Sequence, residues 1–398
     1  MTASLLALEP LPAPLPGVKR ALDPAFGRVV TGVDAAQLTE ADVEAIKAAL
    51  FQHSVLVFPN ANVTPEAQLA LTKAFDPASD SYGHGNKGRQ SKSILHPDLK
   101  TIPRLPQVQV IGNGPVASHE GLVDVQLKHP HHATFHSTKV PDAEDKDVTR
   151  FYRWHIDAAL YDLAPPRVTT LQAVQVPKGR TQTLRYDDGS HDELQVPLGT
   201  TAFVSGRTMF DRLSPAEKSL AVRTKIVYSP HPYVWMSSAR SNSVGLGLES
   251  EGKELAADEL PAFEESKIKT YPMLWKCEAT GALHLQVHPS AIKELLIDAI
   301  PAEEKRTADS LYPEGAHITD LKEVRRIVYE LQRPAVAPEL VYAHDWKEGD
   351  LCLFHNQGVL HSVVGAFKPD EVRIFHQCNL AASTDPVGPD AADVAKWI

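Results

Sequence analysis

Two kinds of hydrophobic spacing occur along this chain of 398 residues. Segments with apolar residues three or four positions apart predict helices, and short continuous or alternating apolar runs predict strands. The predicted helices are 40–51, a segment that begins at Thr64-Pro65-Glu66, 215–223, 290–297 and 320–332. The predicted strands are 28–33, 54–58, 107–111, 168–176, 200–204, 225–228, 282–287, 350–354 and 372–380.

The predicted strands dominate from residue 107 onward and are not separated by regular helices. That order disfavours a doubly wound parallel sheet and favours a mainly β fold with flanking helices, either a sandwich or a jelly-roll barrel. The prolines within residues 1–17 predict an extended N-terminal arm. Residues 18–398 then form a single domain, with loop insertions expected near 76–100, 112–150 and 241–268, the last of them acidic and exposed.

The composition is that of a globular protein, since 43% of the residues are hydrophobic and 23% are charged. A formal net charge of -10 disfavours a nucleic-acid partner, which would need clustered Lys and Arg. No apolar run is long enough to span a membrane, and the N-terminal stretch lacks the basic start of a signal peptide. The cysteines have no metal-binding spacing, which favours reduced thiols and a cytoplasmic location. The sequence leaves open whether the protein forms a homo-oligomer.

The strongest candidate for chemistry is the segment Trp154-His155-Ile156-Asp157. The chain has 18 histidines, so no single histidine identifies a site. In an extended strand, however, residues two apart face the same side, so His155 and Asp157 can converge on one ion. A further histidine, His361, follows the predicted strand 350–354 after a short turn. Two histidines and one carboxylate are typical of the Fe(II) facial triad, whereas an isolated pair of this kind more often satisfies a loop.

A third feature supports the metal interpretation. Arg373 lies twelve residues after His361, inside the apolar strand 372–380. A buried arginine needs an anionic partner, and a dicarboxylate bound beside the metal would supply one through a bidentate contact. The alternative is an ordinary internal ion pair.

At these residues the sequence resembles the taurine dioxygenase family of Fe(II)- and 2-oxoglutarate-dependent oxygenases. The resemblance covers nearly the whole chain. Its motifs are Phe26-Gly27, Gly32-Val33-Asp34, the run from His53 to Phe58, Thr64-Pro65-Glu66, Trp154 to Asp157, Ala164-Pro165-Pro166, Tyr271-Pro272, Thr280-Gly281, Trp346, Gly349-Asp350, Asn356, His361 and Arg373. This resemblance implies a double-stranded β-helix, a form of jelly roll, with the iron at its mouth.

The same resemblance assigns roles to individual residues. It makes His155, Asp157 and His361 the iron ligands, and it makes Arg373 the residue that binds the far carboxylate of the co-substrate, 2-oxoglutarate. Thr183 lies where the family places a threonine that assists this arginine. The surrounding motif departs from the family pattern, so Thr181 and a merely structural strand threonine remain alternatives.

The substrate is suggested by the residues that follow Arg373. Relatives that act on sulfonates carry a second arginine at the position of Gln377, and Asn379 follows two residues later. Neutral amides suit a heterocycle with alternating N–H and C=O groups, such as a purine, unless they bond to backbone groups instead. The run from Arg373 to Asn379 resembles the fungal xanthine dioxygenases of this family, which implies hydroxylation of xanthine to urate with release of succinate and CO2.

The resemblance to the fungal xanthine dioxygenases also makes Lys128 a candidate contact of the substrate or co-substrate. A solvated surface lysine is an equally good interpretation of this residue. One competing hypothesis is a non-enzymatic binder on the same fold, against which the three intact ligands and Arg373 count. The other is a dioxygenase for a sulfonate or another small anion. It would require a further cation in the pocket, for which Lys128 and Arg153 are the candidates.

Overall fold

The computed structural model describes residues 4–80, 100–129, 131–145, 147–249, 253–301 and 306–398. Most of the insertion predicted at 76–100 therefore lies outside the described residues. So do residues 130 and 146 of the insertion predicted at 112–150, and residues 250–252 of the one predicted at 241–268. None of the described helices is long and apolar enough to cross a membrane.

The described chain is mainly β. Its strands are β1 (Ala7–Glu9), β2 (Arg28–Thr31), β3 (Val55–Phe58), β4 (Lys100–Ile102), β5 (Leu105–His119), β6 (Leu122–Leu127), β7 (Val148–Thr149), β8 (Val168–Gln175), β9 (Thr181–Arg185), β10 (Glu193–Pro197), β11 (Thr201–Ser205), β12 (Thr224–Tyr228), β13 (Thr270–Pro272), β14 (Leu274–Lys276), β15 (Leu283–Leu285), β16 (Ile292–Ile297), β17 (Ala316–Ile318), β18 (Tyr342–His344), β19 (Leu351–His355), β20 (Val359–Val363) and β21 (Arg373–Asn379).

Helices flank these strands. They are α1 (Glu40–His53), α2 (Pro65–Ala74), α3 (His132–Phe135), α4 (Gly206–Arg212), α5 (Pro215–Val222), α6 (Pro232–Trp235), α7 (Leu321–Gln332) and α8 (Ala391–Trp397), with single 3-10 turns at Glu265–Lys267, Arg333–Val336 and Pro338–Leu340.

A large sheet forms the frame of the molecule, in the order β1-β2-β3-β19-β8-β21-β5-β4, with β6 paired to β5. Its strands are antiparallel apart from the parallel pair β2 and β3. A smaller sheet, β18-β11-β20, lies opposite it. The remaining sheets are β10-β9-β7, β13-β12-β16-β17 and β14-β15.

A core of aromatic and aliphatic side chains fills the space between the large sheet and the β18-β11-β20 sheet. Phe203 and Tyr342 come from the smaller sheet, and Phe354 and Phe375 come from the large one. All four are almost fully buried, and burying an aromatic side chain of this size stabilises the fold by about 2–3 kcal/mol. β8 and β21 are neighbours in the large sheet, and β20 belongs to the smaller sheet on the other side of this core.

Two predicted irregular segments contain regular structure. The N-terminal arm includes β1, which pairs with β2 at the edge of the large sheet. The insertion predicted at 112–150 begins with the second half of β5 and the whole of β6, which form a hairpin. Gly112 accounts for the misleading loop signal, because a Cβ there would lie 1.7 Å from the carbonyl oxygen of Arg373, so only glycine permits this approach.

Two further predictions were wrong. Residues 290–297 do not form a helix, because β16 pairs with both β12 and β17 and this tertiary pairing outweighs local helix preference. The insertion predicted as exposed at 241–268 begins with a buried segment, 241–248. Its apolar residues Val244, Leu246 and Leu248 enter the main hydrophobic core, which removes the segment from solvent.

Candidate metal centre

The sequence-predicted triad converges at one end of the two sheets. His361 lies in β20, and His155 lies in an extended segment that bridges to it through two backbone hydrogen bonds of 3.0 Å. The two imidazole rings are 4.1 Å apart between centroids. With Asp157, their ligand atoms all lie within 4.8 Å of one another, so one ion can contact all three.

The distances within the triad fit a metal ion better than a hydrogen-bonded cluster. Oδ1 of Asp157 lies 3.8 Å from Nε2 of His155 and 3.6 Å from Nε2 of His361. Both distances exceed the 2.7–3.2 Å range of a hydrogen bond. Nδ1 of His155 donates to the Arg153 carbonyl at 2.7 Å, which leaves the lone pair of Nε2 directed at the shared point.

Asp157 is fixed by hydrogen bonds at both its backbone and its side chain. Asn356 accepts from the Asp157 backbone N–H and donates to its carbonyl oxygen, each at 2.8 Å. Oδ2 of the carboxylate accepts from the Thr169 hydroxyl at 2.6 Å and from Nε2 of Gln377 at 3.3 Å. Asn379 also bonds to this carboxylate. These contacts leave Oδ1 to face the imidazoles.

The protonation states in the triad suit a divalent cation. Burial would raise the pKa of Asp157, but interaction with His361 and His155 and the bonds from Thr169 and Asn379 outweigh it, so the pKa lies below its usual value. Burial lowers the pKa of His361 to about 3, so this imidazole is neutral near pH 7. An ionised carboxylate and neutral imidazoles are the forms that ligate metals.

Arg373 lies at the start of β21, 2% exposed, with Nε donating to the Gly199 carbonyl at 3.2 Å. Burial is the one influence on its pKa, which it lowers to about 9, and no carboxylate among the described residues pairs with it. The alternative of an internal ion pair is therefore not found in the described part of the chain. A buried, uncompensated guanidinium is a ready site for a ligand carboxylate.

Gln377 and Asn379 share one face of β21 with Arg373, as the strand period predicts. Both amides reach the carboxylate of Asp157, so Gln377 does not simply satisfy a backbone group. Oδ1 of Asn379 is buried and has no hydrogen-bond partner among the described residues. The amide pair therefore lies directly beside the metal ligands.

Thr183 and Lys128 have less direct positions. The Thr183 hydroxyl accepts from Nε2 of Gln195 at 2.5 Å, and the neighbouring residues Gln182 and Leu184 are the ones whose side chains are buried. Lys128 is exposed immediately after β6. Its neighbour His129 has a pKa lowered to about 3 by burial and by the charge of Arg373, which places the end of β6 near that arginine.

Three residues near the triad were not predicted from the sequence. Thr169 contacts Asp157 from the predicted strand 168–176, where a threonine in a run of apolar residues was the available signal. His288 is 1% exposed, and its ring lies 6.3 Å from that of His155. Tyr233, which is 40% exposed, donates to the Ala158 carbonyl at 2.9 Å. No sequence spacing links the last two to the HxD segment.

A second group of potential ligands lies apart from the triad and consists of His131, His132 and Asp145. The Asp145 carboxylate lies 2.9 Å and 3.2 Å from the Nε2 atoms of His132 and His131, but Nε2 of His132 and Oδ1 of Asp145 make no hydrogen bond among the described residues. The two rings lie 4.2 Å apart with an interplanar angle of 34°. This group is therefore a second place at which an ion can bind, although none of its residues belongs to the family motif.

Comparison with known proteins agrees with this geometry. Residues 19–379 match the family described as Taurine catabolism dioxygenase TauD, TfdA family. The chain is 58% identical over 373 residues to alpha-ketoglutarate-dependent xanthine dioxygenase xan-1 of Neurospora crassa, which covers 92% of this chain and 85% of that protein. It is 52% identical over 398 residues to alpha-ketoglutarate-dependent xanthine dioxygenase xan1 of Schizosaccharomyces pombe, covering 99% and 92% of the two chains.

A solved structure of a taurine dioxygenase has a similar fold. The crystal structure of a taurine dioxygenase from Burkholderia xenovorans matches with a TM-score of 0.54 at 18% identity, covering 94% of this chain and 91% of that one. This likeness confirms the predicted jelly-roll class, which is the double-stranded β-helix. Because the family match spans most of the chain and the relatives are more than half identical over nearly their whole lengths, the chain belongs to the taurine catabolism dioxygenase family.

Proposed function

We propose that this protein is a 2-oxoglutarate-dependent dioxygenase that hydroxylates xanthine to urate, with release of succinate and CO2. The observation that carries the proposal is a metal-competent triad beside a buried arginine that no described carboxylate neutralises. High identity to xanthine dioxygenases of two fungi supports the choice of substrate.

The triad residues would hold the iron. His155 and His361 would each contribute Nε2, and Asp157 would contribute Oδ1, the atom that faces both imidazoles. One anionic and two neutral ligands leave a divalent ion with net positive charge, which favours binding of an anionic co-substrate. When bound, Fe(II) supplies the activation of O2 that couples decarboxylation of 2-oxoglutarate to hydroxylation.

Arg373 would bind the far carboxylate of 2-oxoglutarate. Its guanidinium is held by the Gly199 carbonyl and by the ring of Phe375, so little side-chain entropy remains to be lost on binding. Thr183 is kept as the candidate helper of this arginine on the strength of the family spacing. Its observed bond to Gln195 would have to be exchanged for one to the co-substrate.

Gln377 and Asn379 would recognise the purine. Nε2 of Gln377 has a second hydrogen, and its carbonyl oxygen accepts, so the amide can contact Asp157 and a substrate edge together. The unpartnered Oδ1 of Asn379 is an acceptor suited to a purine N–H. Lys128 remains a candidate contact because the adjacent His129 lies near Arg373.

One observation keeps a sulfonate or other small anion as the second candidate substrate. Arg153 lies beside the paired rings of Phe135 and Tyr152, its guanidinium carbon 5.9 Å from each ring centroid. Burial first, and then the charges of His155 and Arg153, lower the pKa of His288, so Arg153 lies near His288 and the triad. This cation is of the kind that the sulfonate hypothesis requires.

A product assay separates the two substrates. The purified protein is incubated with Fe(II) and 2-oxoglutarate, together with xanthine, hypoxanthine or taurine, and succinate and urate are quantified. We expect succinate and urate in equal amounts with xanthine and only background succinate with taurine. Succinate formation stimulated by taurine and not by xanthine would overturn the proposal.

The setting in which the enzyme works is also a proposal. The thiols of Cys277, Cys352 and Cys378 are buried and unpaired, which fits the reducing cytoplasm. The net charge of -10 supports a small-molecule partner rather than nucleic acid or an anionic membrane surface. Fractionation of cells that express the tagged full chain would test the location, and its recovery with membranes would contradict it.

A further inference from the structure

The two oxygens of the Asp157 carboxylate have different environments, and Thr169 accounts for the difference. Oδ1 faces the two imidazoles, whereas Oδ2 accepts the Thr169 hydroxyl at 2.6 Å. That distance lies in the short range of hydrogen bonds from a hydroxyl to a carboxylate, which are about twice as strong as neutral ones. The bond from Gln377 to the same oxygen is longer, at 3.3 Å.

The position of the Thr169 hydroxyl is set by the fold. Thr169 is fully buried in β8, where its backbone lies between Phe354 of β19 and Asn379 of β21. A β-branched side chain in a strand has few accessible rotamers. Because β8 is paired on both sides and the threonine side chain is stiff, the Thr169 hydroxyl is held at one point. The longer and more flexible amide of Gln377 is held less firmly.

We propose that Thr169 is a positioning residue that reserves Oδ1 of Asp157 for the metal by holding Oδ2 away from it. This inference rests on the proposed role of Asp157 as a metal ligand. A carboxylate without this bond can rotate and present either oxygen, or both, to the ion. Thr169 thereby keeps the coordination positions needed by the co-substrate and O2 from being taken by Oδ2.

Metal affinity tests this role independently of turnover. Calorimetric titration with Mn(II), which needs neither co-substrate nor oxygen, is made on the full chain and on Thr169→Val. Valine has the shape of threonine without the hydroxyl and is well suited to a strand. We expect Mn(II) to bind about 10-fold more weakly, the scale typical of lost outer contacts to metal ligands. Thr169→Ser, which keeps the hydroxyl, should restore most of the affinity.

Thr170→Val is the matched control. Thr170 is the next residue of β8, is equally buried, and bonds to Gln68 and Thr72 on the opposite face of the sheet. The Thr170→Val variant should have a lower melting temperature and an unchanged affinity for Mn(II). Equal Mn(II) affinity in Thr169→Val and the unsubstituted protein would overturn the proposal. If the valine variant fails to fold, the Ser and Ala variants of Thr169 form a second pair that differs by the hydroxyl, and equal affinities in that pair would overturn it.

Asp157→Ala distinguishes failure of this inference from failure of the proposed function. If Asp157→Ala binds Mn(II) as the unsubstituted protein does, Asp157 is not a ligand and the proposed metal site is wrong. If Asp157→Ala loses Mn(II) but Thr169→Val keeps full affinity, the metal site stands and the positioning role of Thr169 is wrong.

Discussion

Arg373 and Phe375 lie on the same face of β21, with the guanidinium carbon 3.7 Å from the centroid of the phenyl ring. The aromatic face stabilises the cation but does not neutralise it, and no carboxylate among the described residues does so either. The fold thus holds a buried positive charge close to the proposed metal site. We interpret this charge as the anchor of the co-substrate.

Arg373→Lys should weaken the use of 2-oxoglutarate. Lysine keeps the charge but loses the planar pair of donors that grips a carboxylate. Loss of one charge-assisted hydrogen bond costs about 1.5–3 kcal/mol, so the KM for 2-oxoglutarate should rise by about 10- to 100-fold. Mn(II) affinity measured by calorimetry should stay the same. An unchanged KM would remove Arg373 from this role.

Arg373→Met should raise the melting temperature of the ligand-free protein. The wild-type side chain is a buried charge with no anionic partner in the described part of the chain, and removing such a charge stabilises a fold. Differential scanning calorimetry with and without 2-oxoglutarate provides the measurement. The co-substrate should stabilise the wild-type protein and not the variant. Equal stabilisation of both by 2-oxoglutarate would show that the acid binds elsewhere.

Gln377→Ala should mainly affect xanthine. Its bond to Asp157 is long, at 3.3 Å, and Thr169 holds the same oxygen more closely, so the carboxylate should remain in place. Loss of a neutral hydrogen bond of about 0.5–1.5 kcal/mol raises the xanthine KM by about 2- to 10-fold. Steady-state kinetics and Mn(II) titration are compared. Similar losses in metal, co-substrate and xanthine binding would instead indicate a structural role.

Buried histidines should make the protein sensitive to acid. Burial lowers the pKa of His136 and of His355 to about 3, whereas both side chains titrate near 6.5 in an unfolded chain. Between these values the unfolded state binds more protons. Their contribution to stability is therefore complete above pH 6.5 and is lost as the pH falls toward 3, by up to about 1.4 kcal/mol per pH unit for each histidine.

His136→Leu tests this pH dependence. His136 is buried, and neither of its ring nitrogens makes a hydrogen bond among the described residues, so leucine removes the titrating group without breaking a hydrogen bond. Urea unfolding of the metal-free protein between pH 7 and pH 5 should give a shallower loss of stability for the variant. A slope identical to that of the unsubstituted protein would show that His136 does not hold the depressed pKa.

Local sequence signals predicted much of the fold. The helix at 40–51 was recognisable from the spacing of its apolar residues, and α2 from Thr64 and Pro65 at its start. In the structure a capping box at Thr39 begins the first of these helices. The strand character of 290–297 was not recognisable, since it depends on pairing with strands that are distant in the chain. The hairpin after residue 112 was likewise hidden by glycines that serve close packing.

The residues of the candidate site were likewise only partly predictable from the sequence. His155, Asp157, His361 and Arg373 were predictable because the family motif fixes their spacing, and the structure brings the first three together. Thr169 and Tyr233 were not predictable, because their positions depend on how β8 and α6 pack against the metal segment. Short sequence motifs identify the metal ligands. The residues that orient those ligands come from several separate elements, so the sequence alone does not identify them.

Anomalous scattering from a crystal of the protein grown with Mn(II) and 2-oxoglutarate would locate the bound metal itself. We predict one strong peak between Nε2 of His155, Oδ1 of Asp157 and Nε2 of His361, with Oδ2 of Asp157 still bonded to Thr169. A peak at His131, His132 and Asp145 with none at the triad would rule out the triad as the metal site, and so would the absence of any peak.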